Sequence, residues 1–135
     1  MKHRVEFDPE RQVAIIRYRG ELRAEDPAEL IRELVGKPGW TPRCDRIVLY
    51  DEALMGEMTA GDFKKTAALL QPLIARHYGS APSFSAHVCV DPLQRASLEY
   101  WMALGEAIYS PSMALFDTLA EAEAWIAAQR ASLDR

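Results

Sequence analysis

Long apolar runs are missing from this 135-residue sequence. No stretch approaches the roughly 20 uncharged apolar residues that a membrane-spanning helix needs. The first residues, 1–8, carry charge but are not followed by the apolar segment of a secretory signal peptide. We therefore expect a cytoplasmic, soluble protein without an integral membrane segment.

Cysteine is scarce, and basic residues are outnumbered by acidic ones. Cys44 and Cys89 are spaced neither as a metal-binding knuckle nor as a C-x-x-C redox pair. We expect both to be reduced packing residues. The 16 Lys and Arg residues against 20 Asp and Glu residues give a formal charge of −4, which offers no basic surface to a phosphate backbone. Nucleic acid is therefore not an expected partner.

Nucleotide-binding motifs are missing as well. The sequence contains neither G-x-G-x-x-G nor G-x-x-x-x-G-K-[ST], and we predict no cofactor and no bound metal. It also has no internal repeat or linker, so we expect one domain over residues 1–135. A chain of this length buries roughly two thirds of the surface that it exposes when unfolded, and needs no disulfide or metal for stability.

The first third of the chain predicts a β-hairpin followed by a helix. The runs His3–Asp8 and 12–19 are rich in Val, Ile, Phe and Tyr and are separated by a Pro-Glu-Arg turn. A helix is predicted to begin at Pro27, because Asp26 offers an N-cap side chain and proline is favoured at the first helical position. Gly36 is expected to end it.

The middle of the chain predicts a central strand and a second helix. Residues 46–50 form a short, continuous apolar run, which is typical of a strand covered on both faces. After a predicted loop over residues 51–58, Thr59 caps the helix, and Pro72 is expected to kink it or split off its last turn. Its apolar residues recur every three or four positions: Phe63, Ala67, Leu70 and Ile74.

The rest of the chain continues the alternation of strand and helix. Residues 84–90 predict a strand, Pro92 opens a helix that reaches Ile108, residues 113–116 predict the last strand, and Thr118 opens a final helix. The fold class is therefore α/β with the order ββαβαβαβα. Strands joined through helices run parallel, so we expect a mostly parallel five-stranded sheet with an N-terminal antiparallel hairpin.

Several short segments carry a resemblance to a known family. They are residues 5–11, the Gly20-Glu21-Leu22 end of the hairpin, Asp51 after the central strand, and residues 58–63. Together with the segment order, they resemble the SpoIIAA-like bacterial proteins, which are grouped with the STAS and CRAL-TRIO lipid-transfer folds. The resemblance covers nearly the whole chain. It implies a strand order that advances without reversing, which leaves no crevice for a nucleotide.

The sequence departs from that family at its regulatory site. In regulatory STAS proteins an Asp-Ser pair after the central strand carries a phosphorylatable serine. Here Asp51 is followed by Glu52, which cannot accept phosphate, so the usual phosphoswitch is not expected. Thr59 is the nearest hydroxyl at a helix start and is a possible phosphoacceptor. We favour the alternative, that Thr59 is an N-cap.

The third helix has more apolar residues than one packing contact requires. One stripe at helical spacing is assigned to the core: Leu93, Ala96, Tyr100, Leu104 and Ile108. Further apolar residues lie outside that stripe: Leu98, Trp101, Met102 and Tyr109. This second set predicts a dimer or partner contact, or the wall of an apolar ligand pocket. The alternative is a broad stripe that a neighbouring helix partly covers.

Flexible apolar side chains precede the second helix and could form a mobile lip for such a pocket: Leu54, Met55 and Met58. If the second set is a contact surface, Trp101→Ala should reduce association or ligand uptake more than folding stability.

Two groups of polar residues have side chains suited to catalysis or metal binding. Ser85, His87 and Cys89 share one face of a strand, but neighbours on that face are about 6.5 to 7 Å apart, too far for an unaided Cys–His hydrogen bond. The acidic residues near the second helix match no EF-hand spacing: Asp51, Glu52, Glu57 and Asp62. We predict no catalytic site in either group.

We therefore predict a non-enzymatic binding or regulatory module with a protein partner or a homodimeric state. The alternative is a carrier or sensor of a small, lipid-like apolar ligand. A flat apolar patch in a symmetric dimer would favour the first function, and an enclosed apolar pocket would favour the second. An enzyme would gain support only if polar groups with perturbed pKa values converged in a cleft.

Overall fold

The computed structural model describes residues 3–108 and 112–134, with side chains described for all of these except residues 106–108. The elements follow the predicted order ββαβαβαβα: β1 His3–Asp8, β2 Val13–Glu21, α1 Asp26–Val35, β3 Asp45–Leu54, α2 Ala60–His77, β4 Phe84–Val88, α3 Pro92–Ile108, β5 Ser112–Phe116 and α4 Leu119–Leu133.

One five-stranded sheet has the order β1-β2-β3-β4-β5. The pair β1 and β2 is antiparallel, and the remaining neighbours are parallel. The predicted fold class and the N-terminal hairpin are therefore confirmed. The strand order advances without reversing, as the resemblance implied.

Helices cover the sheet on both faces. On one face, α1 and α3 contribute Leu30, Leu34 and Leu98 to a cluster with Ile16 and Val48 of the sheet, and α2 packs beside these helices. On the other face, α4 covers Ile47 and Phe84. Residues 46–50 of β3 are all buried, which confirms the predicted central strand.

The segment after the central strand differs from the prediction. Residues 51–54, predicted as loop, continue β3, and residues 52–54 pair with residues 19–21 of β2 after a register shift. Ion pairs join the two strands there, from Arg17 to Asp51 and from Arg19 to Glu52. Local sequence does not reveal this extension, because it depends on cross-strand pairing.

The N-cap of α2 is the residue predicted from the sequence, and the N-cap of α1 is not. Thr59 is the N-cap of α2, and its side chain accepts a hydrogen bond from the Asp62 N–H. The helix then continues through Pro72 to His77 without being split. In α1 the N-cap is Glu25 and not Asp26, because the Asp26 carboxylate instead accepts a hydrogen bond from the Arg23 N–H at 2.7 Å.

No helix among the described residues combines the length and the apolarity that a membrane span requires.

A buried ion pair joins the amino end of the sheet to α4. Arg130 donates to both carboxylate oxygens of Asp45, at 2.7 and 2.6 Å. The same carboxylate accepts the N–H of Phe84 at the start of β4, at 3.1 Å, and the guanidinium lies over the Phe84 ring. Three elements therefore meet at one carboxylate.

Asp45→Ala is expected to reduce the free energy of unfolding by about 3 to 5 kcal/mol, because it leaves the Arg130 guanidinium largely buried without its partner. Chemical denaturation monitored by circular dichroism measures the loss. The control is Glu6→Ala, whose carboxylate forms an exposed pair with Arg4 and should change stability by less than about 0.5 kcal/mol. Equal effects of the two substitutions would contradict a structural role for the buried pair.

Candidate functional site

The structure places two of the predicted contact residues of α3, Leu98 and Trp101, in the core. Leu98 and Trp101 are only 2% and 6% exposed, and Met55 is buried with them. The Trp101 ring packs against Phe63 of α2, with the ring centroids 6.4 Å apart. This burial excludes a flat contact surface through Leu98 and Trp101 and agrees with the alternative, a stripe that a neighbouring helix covers.

The other predicted site residues lie in different environments. Leu54 is 61% exposed, whereas Met58 and Met102 are half-buried and pack against the cluster that contains Trp101. Tyr109 lies outside the described residues.

The stripe assigned to the core turns out to be the open side of α3. Leu93 is 83% exposed, Ala96 and Tyr100 are exposed, and Leu104 is half-buried. The helix therefore has apolar residues on two sides, as predicted. The side assigned to the core is the exposed one. Both sides carry apolar residues at helical spacing, so periodicity alone could not decide which one packs on the sheet.

Two polar side chains fix the rotation of α3. Gln94 accepts a hydrogen bond from the Met55 N–H at 3.1 Å. Arg95 donates to the Cys89 carbonyl at 2.7 Å and to the Asp117 carboxylate at 2.6 Å. Because these hydrogen bonds turn Gln94 and Arg95 toward the ends of the strands, the neighbouring Leu93 faces solvent. Met55 and Asp117 lie in distant segments, and no local pattern in the sequence predicts these two contacts.

Exposed apolar residues gather where the parallel strands end. Leu54 ends β3, Val90 follows β4 and is 69% exposed, and Leu93 is in the first turn of α3. The hydrogen bond between Met55 and Gln94 holds the first and last of these segments together. We define the α3 surface as Leu54, Val90, Leu93, Ala96 and Tyr100.

An open groove of about 460 Å³ lies at the same end of the sheet. Three aspartates line the groove, one within β3 and one after each of β4 and β5, but their carboxylates are already engaged. Asp51 pairs with Arg17, Asp117 pairs with Arg95, and Asp91 accepts the Leu93 N–H. Among the described residues, no group of three or more His, Cys, Asp or Glu is arranged to hold a metal ion.

Two small cavities lie between the sheet and the helices. One, of about 30 Å³, brings together four predicted site residues: Met55, Met58, Leu98 and Trp101. The other, of about 60 Å³, is lined by Trp101 and by polar residues of the sheet. Each has room for a few water molecules. Both are much smaller than the roughly 300 to 1,000 Å³ of a typical ligand pocket.

A buried chain of polar groups lies beside the larger cavity. The Tyr50 hydroxyl is 2.8 Å from His87 Nδ1, and the Ser85 hydroxyl is 3.1 Å from His87 Nε2. Burial lowers the pKa of His87 to about 3, and the nearby Arg46 charge adds to the effect. The imidazole is therefore neutral, with one nitrogen donating and the other accepting.

This hydrogen-bond network joins Ser85 to His87. The sequence places both on one face of the strand and predicts no contact between them. Ser85 and His87 do meet, but a histidine with so low a pKa is a weak base, and the Ser85 hydroxyl is buried. Cys89 does not join them, since its Sγ contacts the Asp91 carbonyl at 3.8 Å and burial raises its pKa. The arrangement fits a structural network better than a nucleophile and its base.

Thr59 takes part in a capping box at the start of α2. Its hydroxyl donates to the Asp62 carboxylate at 3.1 Å, and its N–H donates to the same oxygen at 2.9 Å. These hydrogen bonds lower the pKa of Asp62. The N-cap interpretation of Thr59 therefore holds, and Asp62 belongs to the cap.

No protein-family model matches the sequence, and no curated protein matches it either. Among solved structures, the chain is similar to the anti-sigma factor antagonist SpoIIAA in its unphosphorylated form, with a TM-score of 0.50 and 16% identity. The similarity covers 94% of this chain and 97% of that chain. The fold is SpoIIAA-like, that is, STAS-like, which confirms the resemblance at the level of fold.

Trp101→Ala is now expected to reduce the free energy of unfolding by about 3 to 5 kcal/mol, because it removes a buried indole. The matched control is Leu93→Ala, on the open side of the same helix, where the side chain is 83% exposed and its loss should cost less than about 1 kcal/mol. Chemical denaturation of both variants measures the difference. A larger loss for Leu93→Ala would mean that α3 is rotated the other way.

Stability should fall in mild acid because of His87. The folded-state pKa of about 3 lies below the ordinary value of 6.5, so the unfolded chain binds the proton more readily between these values. Lowering the pH from about 7.5 to about 5 should therefore remove about 2 kcal/mol through this group. Denaturation curves of the native protein and of His87→Gln measure it. A variant with the same pH dependence as the native protein would contradict the assignment.

Proposed function

We propose that this chain, whose fold is SpoIIAA-like, is a regulatory module that acts by binding another protein through the α3 surface. The observation that carries the proposal is the concentration of exposed apolar side chains at one end of the molecule. Leu54, Val90 and Leu93 are each more than half exposed. Apolar patches of this kind commonly mark protein interaction sites in soluble proteins.

The rim of this surface indicates what kind of partner would fit. Asp91 and Glu99 are exposed on or beside the first turns of α3, and Glu57 is exposed before α2. The complementary partner presents an apolar patch with basic residues around it, since opposite charges at a rim steer association.

The structural comparison supports a protein partner rather than a substrate. SpoIIAA is described as an anti-sigma factor antagonist, and therefore acts on another protein. A shared fold does not transfer a function by itself, so the proposal depends on the exposed residues of this chain.

Control of binding by phosphorylation of an Asp-Ser serine is not part of the proposal. Glu52 follows Asp51 in this chain, and its carboxylate pairs with Arg19 at 3.1 Å. At Thr59 the hydroxyl already donates to Asp62, and a phosphate there would lie beside that carboxylate. These contacts support Thr59 as a cap and not as a phosphoacceptor.

The carrier of a small apolar ligand is the second candidate. Four residues that the sequence singled out line one cavity, which favours it. The cavity of about 30 Å³ would have to open considerably to admit a lipid-like molecule. We therefore place protein binding first.

Quantitative capture from a lysate of the source cells tests the proposal. Three immobilised proteins are compared: the native chain, Leu93→Arg, and the control Leu133→Arg, which changes an exposed leucine at the far end of α4. We expect at least one protein to bind the native chain and the control, and to bind Leu93→Arg about tenfold less, a loss of about 1.4 kcal/mol. The same ratio is then measured by calorimetry with that protein purified.

Two results would contradict protein binding through the α3 surface. One is capture that depends equally on Leu93 and Leu133. The other is a co-purifying small molecule, seen by native mass spectrometry, together with no protein whose capture depends on Leu93. The second result would support the carrier instead.

A further inference from the structure

The two edges of the sheet differ in how they are protected. The β1 edge alternates exposed charged residues, Arg4 and Glu6, with less exposed ones. The β5 edge reads Ser-Met-Ala-Leu-Phe and contains no charge and no proline. Natural proteins usually block an edge strand with charges, proline or a bulge, because its unpaired backbone groups accept another strand. Of the two edges, β5 is the one without such protection.

The hydrogen bonds of β5 show which backbone groups point outward. The Ser112 N–H donates to the Ser83 carbonyl at 3.2 Å, and the Cys89 N–H donates to the Phe116 carbonyl at 3.0 Å. In this parallel register, residues 112, 114 and 116 direct their backbone groups toward β4. Met113 and Leu115 therefore direct theirs away from the sheet, and no strand of the described chain lies beyond them.

The spacing of these outward groups matches a second copy of the same strand. We propose that β5 pairs antiparallel with β5 of another copy of this chain, around a two-fold axis at Ala114. Met113 of each copy then exchanges two hydrogen bonds with Leu115 of the other, and all four outward N–H and C=O groups on each strand are satisfied. Ala114 faces its own counterpart across the axis.

A second copy fits better than a foreign strand for two reasons. The β5 segment has no charge, so a self-pair sets no like charges opposite each other, whereas a charged foreign strand would find no counter-charge on β5. The two-fold pairing also limits the assembly to two chains. The edge that stays open in each copy is β1, and its charged residues disfavour the addition of another strand.

This dimer goes beyond the proposed partner binding and uses the edge of the sheet instead of the α3 surface. One flank of that surface, at Tyr100, contacts Phe63 of α2. The β5 edge lies on the side where Arg95 pairs with Asp117. Pairing through β5 would therefore leave both α3 surfaces of the dimer accessible. A five-residue strand buries little area, so we expect an association weaker than that of standard interfaces of about 1,200 to 2,000 Å².

Single cysteines test the register of the pair directly. In Ala114→Cys the two new thiols face each other in a non-hydrogen-bonded pair with Cα atoms about 4.5 Å apart, which allows a disulfide. In the control Ser112→Cys the equivalent thiols are offset by four residues, about 13 Å along the strands, and cannot join. Both native cysteines are buried. Mild oxidation followed by non-reducing electrophoresis should give a covalent dimer for Ala114→Cys alone.

Charge at the two-fold axis tests the dimer without a cross-link. Light scattering over a concentration series should show a dimer for the native chain and for Ala114→Gln, and a monomer for Ala114→Glu, whose like charges would face each other. Circular dichroism confirms that each variant is folded. A native chain that stays monomeric at the highest concentration, or equal cross-linking of the two cysteine variants, would overturn the proposal. Failure of partner capture would leave these results unaffected.

Discussion

The arrangement of the sheet between its two helix layers depends on the contacts of one buried carboxylate, that of Asp45. It accepts hydrogen bonds from Arg130 on α4 and from the first N–H of β4, and so joins the central strand to its neighbour and to the last helix. A buried charge is tolerated only when it is paired and hydrogen-bonded. This requirement holds α4 on one face of the sheet and leaves the other face to α1, α2 and α3.

The open surfaces of the molecule follow from that division. The sheet side of α3 is used by Leu98 and Trp101, and one flank lies against α2. No further layer of the described chain covers the rest, so the side that carries Leu93 and Ala96 stays in solvent. At the outer margin of the same layers, β5 ends the sheet. A small two-faced sheet with four helices thus leaves one side of α3 in solvent and, among the described residues, no strand beyond the uncharged edge β5.

Polar side chains between the layers and at the strand ends form defined contacts within the described chain. Tyr50, His87 and Ser85 hydrogen-bond to each other, and the carboxylates at the strand ends pair with arginines or cap a helix. Such networks fix the packing of a core and are costly when half satisfied.

Sequence by itself determined the element order, the antiparallel hairpin, the doubly covered central strand and the cap of α2, because each depends on local periodicity or on a capping side chain. It also showed that α3 has apolar residues on two sides. Only the tertiary structure decided which side is buried, since the contacts of Gln94 and Arg95 with distant segments set the rotation. The extension of β3, the meeting of Ser85 with His87 and the Asp45 pair likewise depend on residues far apart in the chain, and no local pattern encodes them.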